Sequence, residues 1–202
     1  MKKLLKFTFL FALSLLATGA FAQDSHTTNT SRKWYLPDHL TLQFAGNIGM
    51  ISAGPGYSYL HDKINTDVLY GFVPSFESKT SIHILTAKNY YTPFRHTFNN
   101  ASQWEIIKIG TGVSYSFGPQ FYTTWPKRYP DSYYWWASSL RLTPFIGTAI
   151  SAKVGNEATV IKRVQLYAEV GTTDLDIVSK LDNQNLSVYD ILNLAIGTKL
   201  VF

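Results

Sequence analysis

Residues 192–202, LNLAIGTKLVF, alternate between large apolar side chains and small or polar ones. One face of a strand would carry Leu192, Leu194, Ile196, Thr198, Leu200 and Phe202, and the other would carry Asn193, Ala195, Gly197, Lys199 and Val201. Successive side chains of a strand point to opposite sides, so one face is apolar and the other is mostly small or polar. This pattern is typical of a membrane-spanning β-barrel strand, whose apolar face contacts lipid and whose polar face lines the lumen.

The N-terminus predicts export. Residues 1–6 are basic, residues 7–16 are apolar, and Ala20 and Ala22 form an A-x-A arrangement ahead of Gln23. This order is typical of a secretory signal peptide spanning residues 1–22, exported through the Sec pathway and cleaved after Ala22. The apolar run is too short to cross a bilayer as a helix.

Charge and cysteine content exclude several function classes. The signal peptide contains Lys2, Lys3 and Lys6 and no acid, so its removal lowers the formal net charge from +5 to +2. The basic whole-chain pI is therefore no sign of nucleic-acid binding, and no nucleic-acid partner is expected. The absence of cysteine excludes a lipid-anchored lipoprotein, a disulfide scaffold and a thiolate metal site.

The composition also favours a membrane barrel. Charged residues make up only 15% of the chain, against roughly 25% in ordinary soluble domains. No later segment has the apolar length of a spanning helix, so a closed barrel is the remaining way to cross a membrane. We expect a flexible periplasmic segment over residues 23–38 and an outer-membrane barrel over residues 39–202.

Turn residues separate eight alternating segments. They lie near residues 41–50, 52–60, 64–72, 81–92, 107–117, 140–150 and 163–170, and from about Val188 onward. The predicted fold is all-β, an eight-stranded antiparallel transmembrane barrel with up-and-down order and a packed lumen. The fourth segment has two mixed faces and cannot be oriented. Pro144 suggests a bulge or a later start of the sixth strand, because a closed barrel has no free edge.

Placing both ends in the periplasm assigns the connections to two sides. The outer connections would be the link near Ile51, Pro74–Thr80, Gly118–Ser138 and Thr172–Ser187, and the periplasmic turns would be His61–Lys63, Pro93–Gln103 and Gly155–Thr159. Longer outer loops and shorter periplasmic turns are usual in such barrels.

Several charged residues fall on the predicted inner faces. They are Asp67, Lys108, Arg141, Arg163, Glu169 and Lys199, accompanied by Gln43, Asn47 and Asn193. The preferred interpretation is a structural network of ion pairs, because unpaired charge in a narrow lumen is costly. A proton or ion path, or a carboxylate catalyst, is the alternative.

Other candidate sites have little support. His83, Asp67 and Ser81 resemble a hydrolytic trio only in residue type, so no catalytic residue is predicted. The histidines lack metal-ligand spacing, and the acids of the last outer loop, Asp174, Asp176 and Asp182, match no calcium-loop motif. We therefore predict no metal site and no cofactor.

Residues 118–136, GPQFYTTWPKRYPDSYYWW, form the most distinctive outer connection. Its final aromatics, Tyr133–Trp136, precede a strand and would join an interfacial aromatic girdle. The candidate surface-binding residues are Phe121, Tyr122, Trp125, Lys127, Arg128 and Tyr129. Two interpretations remain open. The aromatic side chains either cap the barrel mouth or bind an extracellular glycan or protein by stacking, with the basic pair contacting lipid phosphates.

The alternating segments, the signal peptide and the terminal aromatic resemble the small eight-stranded outer-membrane barrels over Leu40–Phe202. In that superfamily the terminal aromatic strand is recognised by the barrel-assembly machinery, which the resemblance implies for Phe202. Thr143–Ala149, TPFIGTA, is also similar to a strand of lipid A 3-O-deacylases. Their next strand carries a catalytic His-x-Ser pair, whereas Gln165–Gly171 here contains neither residue, so the resemblance implies the fold without the catalysis.

These observations favour a non-enzymatic outer-membrane barrel that contacts membrane lipid, including lipopolysaccharide, and acts structurally or through its outer loops. The alternative is an enzyme that modifies lipid A or phospholipid, as a deacylase or acyltransferase does. A structural barrel should have a filled, paired lumen, whereas an enzyme should have a polar cluster near the outer rim, open to lipid. The fold alone does not choose between them.

Overall fold

The computed structural model describes residues 35–98, 101–118, 120–123, 137–155, 159–183 and 185–202. The expected signal peptide, and most of the expected flexible segment, lie outside these ranges. No helix within the described ranges is long and apolar enough to cross a membrane.

The described residues form eight strands in one closed antiparallel barrel. The strands are β1 (His39–Ala45), β2 (Ile51–Tyr59), β3 (Ile64–Val73), β4 (Ile82–Thr97), β5 (Ser102–Phe117), β6 (Leu140–Lys153), β7 (Arg163–Gly171) and β8 (Asn193–Val201). Each strand pairs with its sequence neighbours, and β1 pairs with β8 from His39↔Val201 to Ala45↔Ala195. The predicted eight-stranded up-and-down barrel is confirmed.

The two faces of the wall differ in polarity. Large apolar side chains stand exposed on the outer face of every strand, among them Leu42, Ile109, Ile146 and Leu166. Buried polar and charged side chains fill the inner face, including Thr41, Asp67, Lys108, Glu169 and Lys199. The interior is a packed core of polar groups, and the exterior is apolar.

The first connection differs from the sequence prediction. We expected Ile48 and Met50 to continue the outer face of the first strand, but β1 ends at Ala45 and β2 begins at Ile51. The chain turns between them with φ of 82° at Gly46 and 124° at Gly49, values that favour glycine. As a result, Ile48 folds inward and is buried.

Three further boundaries differ. The predicted turn Pro93–Gln103 is mostly strand, because β4 continues to Thr97 and β5 starts at Ser102. The last outer connection contains a helix, α1 (Asp174–Asp182), which the sequence analysis did not predict. The eighth strand starts at Asn193 instead of about Val188, because Val188–Ile191 forms a 3₁₀ turn.

Pro144 lies within β6, and no bulge is required there. The β7 pairing ends at Phe145↔Gly171, one residue before Pro144, whose carbonyl accepts a hydrogen bond from Thr172 N at 3.1 Å. The N and O atoms of one strand residue point to the same neighbour. The nitrogen of Pro144 therefore points beyond the end of β7, where no strand residue needs a hydrogen bond from it.

Candidate functional site

One group of buried side chains surrounds Asp67 on β3. Its Oδ2 accepts a hydrogen bond from Lys199 Nζ at 2.6 Å, and its Oδ1 lies 2.7 Å from His39 Nε2. Thr41 Oγ1 donates to the same carboxylate at 3.3 Å, and Lys199 also donates to Tyr90 Oη. We call these five residues the Asp67 cluster. The carboxylate is fully buried, and the five residues of the cluster come from four different strands, β1, β3, β4 and β8.

A second group surrounds Glu169 on β7. Lys108 Nζ donates to its Oε1 at 3.0 Å, and Lys88 Nζ donates to its Oε2. Gln43 Oε1 accepts from Lys88 at 2.9 Å and from Tyr167 Oη at 3.1 Å. We call these five residues the Glu169 cluster. Two lysines thus share one carboxylate in a site with almost no solvent contact.

Two tyrosine rings connect the clusters. Lys108 Nζ lies 4.4 Å from the ring centre of Tyr90 and 4.4 Å from that of Tyr167. Lys199 Nζ lies 4.4 Å from the Tyr90 ring on the Asp67 side. All three distances are within the range of cation–π attraction. The two clusters therefore form one network of three lysines, two carboxylates and two tyrosines across the lumen.

The strand arrangement explains how these residues meet. Gly56 on β2 leaves room for the Asp67 cluster, since a Cβ there would clash with His39 Nε2 and Asp67 Oδ1. Gly197 on β8 similarly leaves room for the end of the Tyr167 ring. Small residues on the inner face thus make space for charged and aromatic side chains of the neighbouring strands.

Small cavities lie on either side of the network. One, of about 30 Å³, is bordered by Gln43, Asn47, Lys88, Glu169 and Asn193 near the β1–β2 turn. Another, also of about 30 Å³, is bordered by residues that include His39, Tyr90, Glu105, Arg163 and Lys199 near the opposite end. Each has room for roughly two water molecules. The network separates the two cavities.

An additional ion pair lies at the end near the β2–β3 turn. Arg95 donates to Glu105 at 3.0 Å and to the carbonyl oxygen of Asp62 at 3.1 Å. Glu105 is buried. Arg95, near the end of β4, connects this strand to the β2–β3 turn through the hydrogen bond to Asp62. This pair joins the adjacent strands β4 and β5 at this end of the barrel.

The predicted lumen residues divide into two sets. The structure brings Asp67 together with Lys199, and Lys108 together with Glu169. Arg141 instead donates to the backbone carbonyls of Ala137 and Leu140, and Arg163 borders the cavity near the barrel end. The inward alternation of β3, β5, β7 and β8 was the signal that led to the network members.

Sequence reasoning missed several members of the network. Lys88 and Tyr90 lie on β4, the strand that could not be oriented, and His39 lies at the predicted domain boundary. Tyr167 lies on β7, two residues before Glu169 and on the same face, but it was not among the predicted site residues. The available signal was the spacing of Lys88 and Tyr90, which are two residues apart and therefore lie on the same face of a strand. Both are buried among polar neighbours.

The three residues that resemble a hydrolytic trio in type, His83, Asp67 and Ser81, do not come together. Asp67 is inside the lumen, whereas His83 stands on the outer face, with its Nδ1 2.5 Å from Tyr70 Oη. Its ring also packs 5.3 Å from Phe72. Across the described ranges, no three His, Asp or Glu side chains lie close enough together to hold a metal ion.

Two of the acids in the β7–β8 connection, Asp174 and Asp176, have structural partners. Asp174 is buried and accepts a hydrogen bond from Leu142 N at 3.3 Å, and burial raises the pKa of its carboxyl group. The opposing effect of Arg141 on this pKa is smaller. Thr173 caps the helix through a hydrogen bond from Asp176 N at 3.2 Å. The helix thus begins with two acids, as its dipole favours.

The distinctive aromatic connection is only partly described. Phe121 and Tyr122 are half-buried, and Tyr122 N donates to Ser138 Oγ at 2.6 Å. Trp125, Lys127, Arg128, Tyr129 and the expected girdle residues Tyr133–Trp136 lie outside the described residues. At the chain end, Phe202 N donates to Asp38 O at 3.0 Å, which extends the β8–β1 pairing. No family model matches this sequence, and a search of curated proteins finds no significant similarity.

Proposed function

We propose that this chain is a non-enzymatic outer-membrane barrel with a structural role, whose outer loops make the surface interactions. The observation that carries the proposal is the polarity of the wall. Ile109, Ile146 and Leu166 each expose more than half of their surface on the outer face, while Asp67 and Lys108 are fully buried inside. Hydrocarbon around the barrel accounts for this arrangement, because lipid stabilises exposed apolar side chains and water does not.

Aromatic side chains support a membrane position. Phe98 stacks on Trp104 near one end, with ring centres 6.3 Å apart, and Tyr115 contacts Phe117 near the other end, at 4.9 Å. With a rise of about 3.3 Å per residue, a tilt of about 40° and one residue in the bulge, Trp104 and Tyr115 are separated by about 25 Å along the barrel axis. This matches the usual height of the lipid-facing apolar band.

The filled lumen supports the structural role. Three lysines, two carboxylates and two tyrosines occupy the space that a solute path would need, and their polar atoms are paired. An eight-stranded barrel is just wide enough for such side chains. A filled and paired lumen is the interior expected of a structural barrel, whereas an enzyme is expected to have a polar cluster near the rim.

One observation favours the alternative, a lipid-modifying enzyme. The hydrogen-bonded pair Tyr70 and His83 stands on the outer wall near the long-loop end, where lipid would approach. A His that acts as a general base usually needs a nucleophile and an orienting group. Within the described part of the chain, neither ring contacts a carboxylate. The structural proposal is therefore preferred.

Two experiments test the proposal. Membrane fractionation should place the protein in the outer membrane, and recovery in the soluble periplasmic fraction would contradict the location. Mass spectrometry of lipid A and phospholipids, from cells with and without the protein, should give identical acyl patterns. A changed pattern that disappears again in a His83→Ala variant would support the enzyme instead.

A substitution on the wall tests the lipid contact directly. Ile109→Arg should lower the free energy of unfolding in phospholipid vesicles by about 2–4 kcal/mol, because an arginine would enter the apolar layer. The control is Lys153→Arg at the end of β6, which keeps an exposed charge in place. An equal stability of Ile109→Arg and the unchanged protein would remove the membrane proposal.

A further inference from the structure

The helix α1 occupies a gap in the barrel wall. Above Phe145 the strand β6 continues to Leu140 without a β7 partner, because β7 ends at Gly171. The chain from Thr172 to Asp174 covers this edge, through Thr172 N to Pro144 O at 3.1 Å and Leu142 N to Asp174 Oδ1 at 3.3 Å. The helix therefore begins in line with the wall, beside the last outward-facing residues of β7.

The connection that contains α1 exposes an unusual amount of apolar surface. Leu181 is 74% exposed, Tyr189 is 86% exposed and Val188 is 54% exposed. Ile177 lies one helical turn before Leu181, on the same side, and is exposed as well. We call Ile177, Leu181, Val188 and Tyr189 the apolar loop patch. A connection surrounded only by water would not be expected to leave these four side chains uncovered together.

Several polar side chains of the same connection are engaged within it. Lys180 Nζ donates to the carbonyl oxygen of Leu186, and Thr173 Oγ1 donates to Asp176 Oδ2 at 2.7 Å. Asp190 accepts from Ser187 N at 2.9 Å in a capping box. The connection therefore presents exposed polar side chains such as Asp182 and Asn185 beside the exposed apolar ones, the mixture that suits a boundary between headgroups and acyl chains.

The connection that carries the patch joins the apolar outer wall at both ends. It leaves β7 just after exposed Val170 and enters β8 through exposed Leu192, Leu194 and Ile196. Both ends of the connection are thus fixed beside outward-facing apolar side chains. A connection held at the rim of a lipid-facing wall has the membrane surface within its reach.

We infer that α1 and the following 3₁₀ turn lie in the interfacial layer of the outer leaflet, with the apolar loop patch in contact with lipid. Helices that lie at an interface bury their apolar side chains at the boundary between headgroups and acyl chains. The connection then anchors the barrel beyond its strands and fixes its depth in the membrane. This inference rests on the proposed outer-membrane location.

The absence of cysteine allows a direct test by single-site spin labelling. Leu181→Cys carries the test label. Ser179→Cys is the matched control, because Ser179 is also exposed but points away from Leu181 across the helix. Ile146→Cys, on the outer wall of β6, reports the membrane position of the barrel itself. Each labelled full-length protein is folded into phosphatidylcholine vesicles, and retained strand content is checked by circular dichroism.

Collisions with oxygen and with a water-soluble nickel complex then report the depth of each label. We expect the ratio of oxygen to nickel collisions at residue 181 to exceed that at residue 179 several-fold and to approach that at residue 146. Equal, water-like ratios at residues 181 and 179 would overturn the inference. A lipid-like ratio at residue 146 in the same experiment would show that the barrel itself is still in the membrane. Protection of residue 181 from both reagents would show a protein contact, such as a second copy, and would also overturn it. A water-like ratio at residue 146 would instead contradict the outer-membrane proposal itself.

Discussion

Glu169 is the residue on which two buried lysines depend. Replacing it by glutamine leaves Lys88 and Lys108 charged and without a counter-charge in a nearly dry site. We expect Glu169→Gln to lower the free energy of unfolding by about 3–5 kcal/mol, measured by denaturant titration in lipid vesicles. Arg163→Ala is the control, because Arg163 lies on the same strand outside the network, and its effect should stay below about 1 kcal/mol.

A combined variant distinguishes lost pairing from lost packing. Changing Lys88 and Lys108 to methionine together with Glu169→Leu removes every charge of the Glu169 cluster and keeps most of its volume. Its stability should exceed that of Glu169→Gln, since a buried ion pair is often replaceable by apolar groups. If the triple variant is as unstable as Glu169→Gln, loss of packing explains the effect and unpaired charge does not.

Gly56 allows the Asp67 cluster to form. A methyl group at this position would collide with His39 and Asp67, so Gly56→Ala should destabilise the barrel by about 1–3 kcal/mol in the same titration. Ala53→Val on the outer face of the same strand adds volume away from the packed lumen, and it should have little effect. Equal effects of the two substitutions would contradict the close packing of the cluster.

The sequence identified members of the network only on strands whose two faces differ clearly in polarity. Asp67, Lys108 and Lys199 each lie between small or polar inward neighbours on a strand with an apolar outer face. Lys88 was missed because Asn89, the next residue, is polar and faces outward. The amide oxygen of Asn89 accepts a hydrogen bond from Thr66 Oγ1 at 2.7 Å on the outer wall. This polar side chain is therefore paired with a residue of the neighbouring strand. A single sequence does not show such a lateral bond.

At the scale of elements, the start of α1 depends on Asp174. Because burial raises the pKa of its carboxyl group, ionised Asp174 is less favourable in the folded loop than in the unfolded chain. Its contribution to loop stability is therefore largest below the unfolded pKa and is lost as the pH rises through the folded pKa. Asp174→Asn keeps an acceptor for Leu142 N without the charge. We expect it to maintain or increase amide-exchange protection of the helix at pH 7, whereas Asp174→Leu should reduce it.

Comparing the two variants across pH separates charge from hydrogen bonding. The increase in amide-exchange protection that Asp174→Asn gives over the unchanged protein should shrink as the pH falls to the pKa of Asp174 in the unfolded chain. A gain that is constant with pH would show that titration of Asp174 does not affect the loop.

The strands were easier to predict than this helix, for a physical reason. Alternation with period two runs through β5, β7 and β8 because each separates an apolar outer face from a polar lumen. α1 is only nine residues long, so the i, i+4 pair Ile177 and Leu181 is too short a repeat to indicate a helix in the sequence. The tertiary bond from Leu142 N to Asp174, which helps to fix its start, is invisible in a local sequence window.

For the whole molecule, the filled lumen predicts an electrically silent protein. Purified protein in a planar lipid bilayer should give no conductance above that of the bare membrane. Removing the central side chains in Lys108→Ala with Tyr167→Ala should produce measurable ion flow, provided that circular dichroism shows the strand content unchanged. Steady conductance by the unchanged protein would contradict the packed lumen.

The pairing of β1 with β8 has a consequence for folding kinetics. These neighbours are separated by about 150 residues of intervening chain, so their joining requires closure of the longest loop in the barrel. Every other pair of adjacent strands has a much shorter connection and can form earlier. Lys199, on β8, reaches its carboxylate partner on β3 and the ring of His39 on β1 once this junction has formed. Its buried ammonium group therefore acquires its partners late in folding, and the rate at which the finished ring reopens is expected to depend on this side chain more than on any local turn.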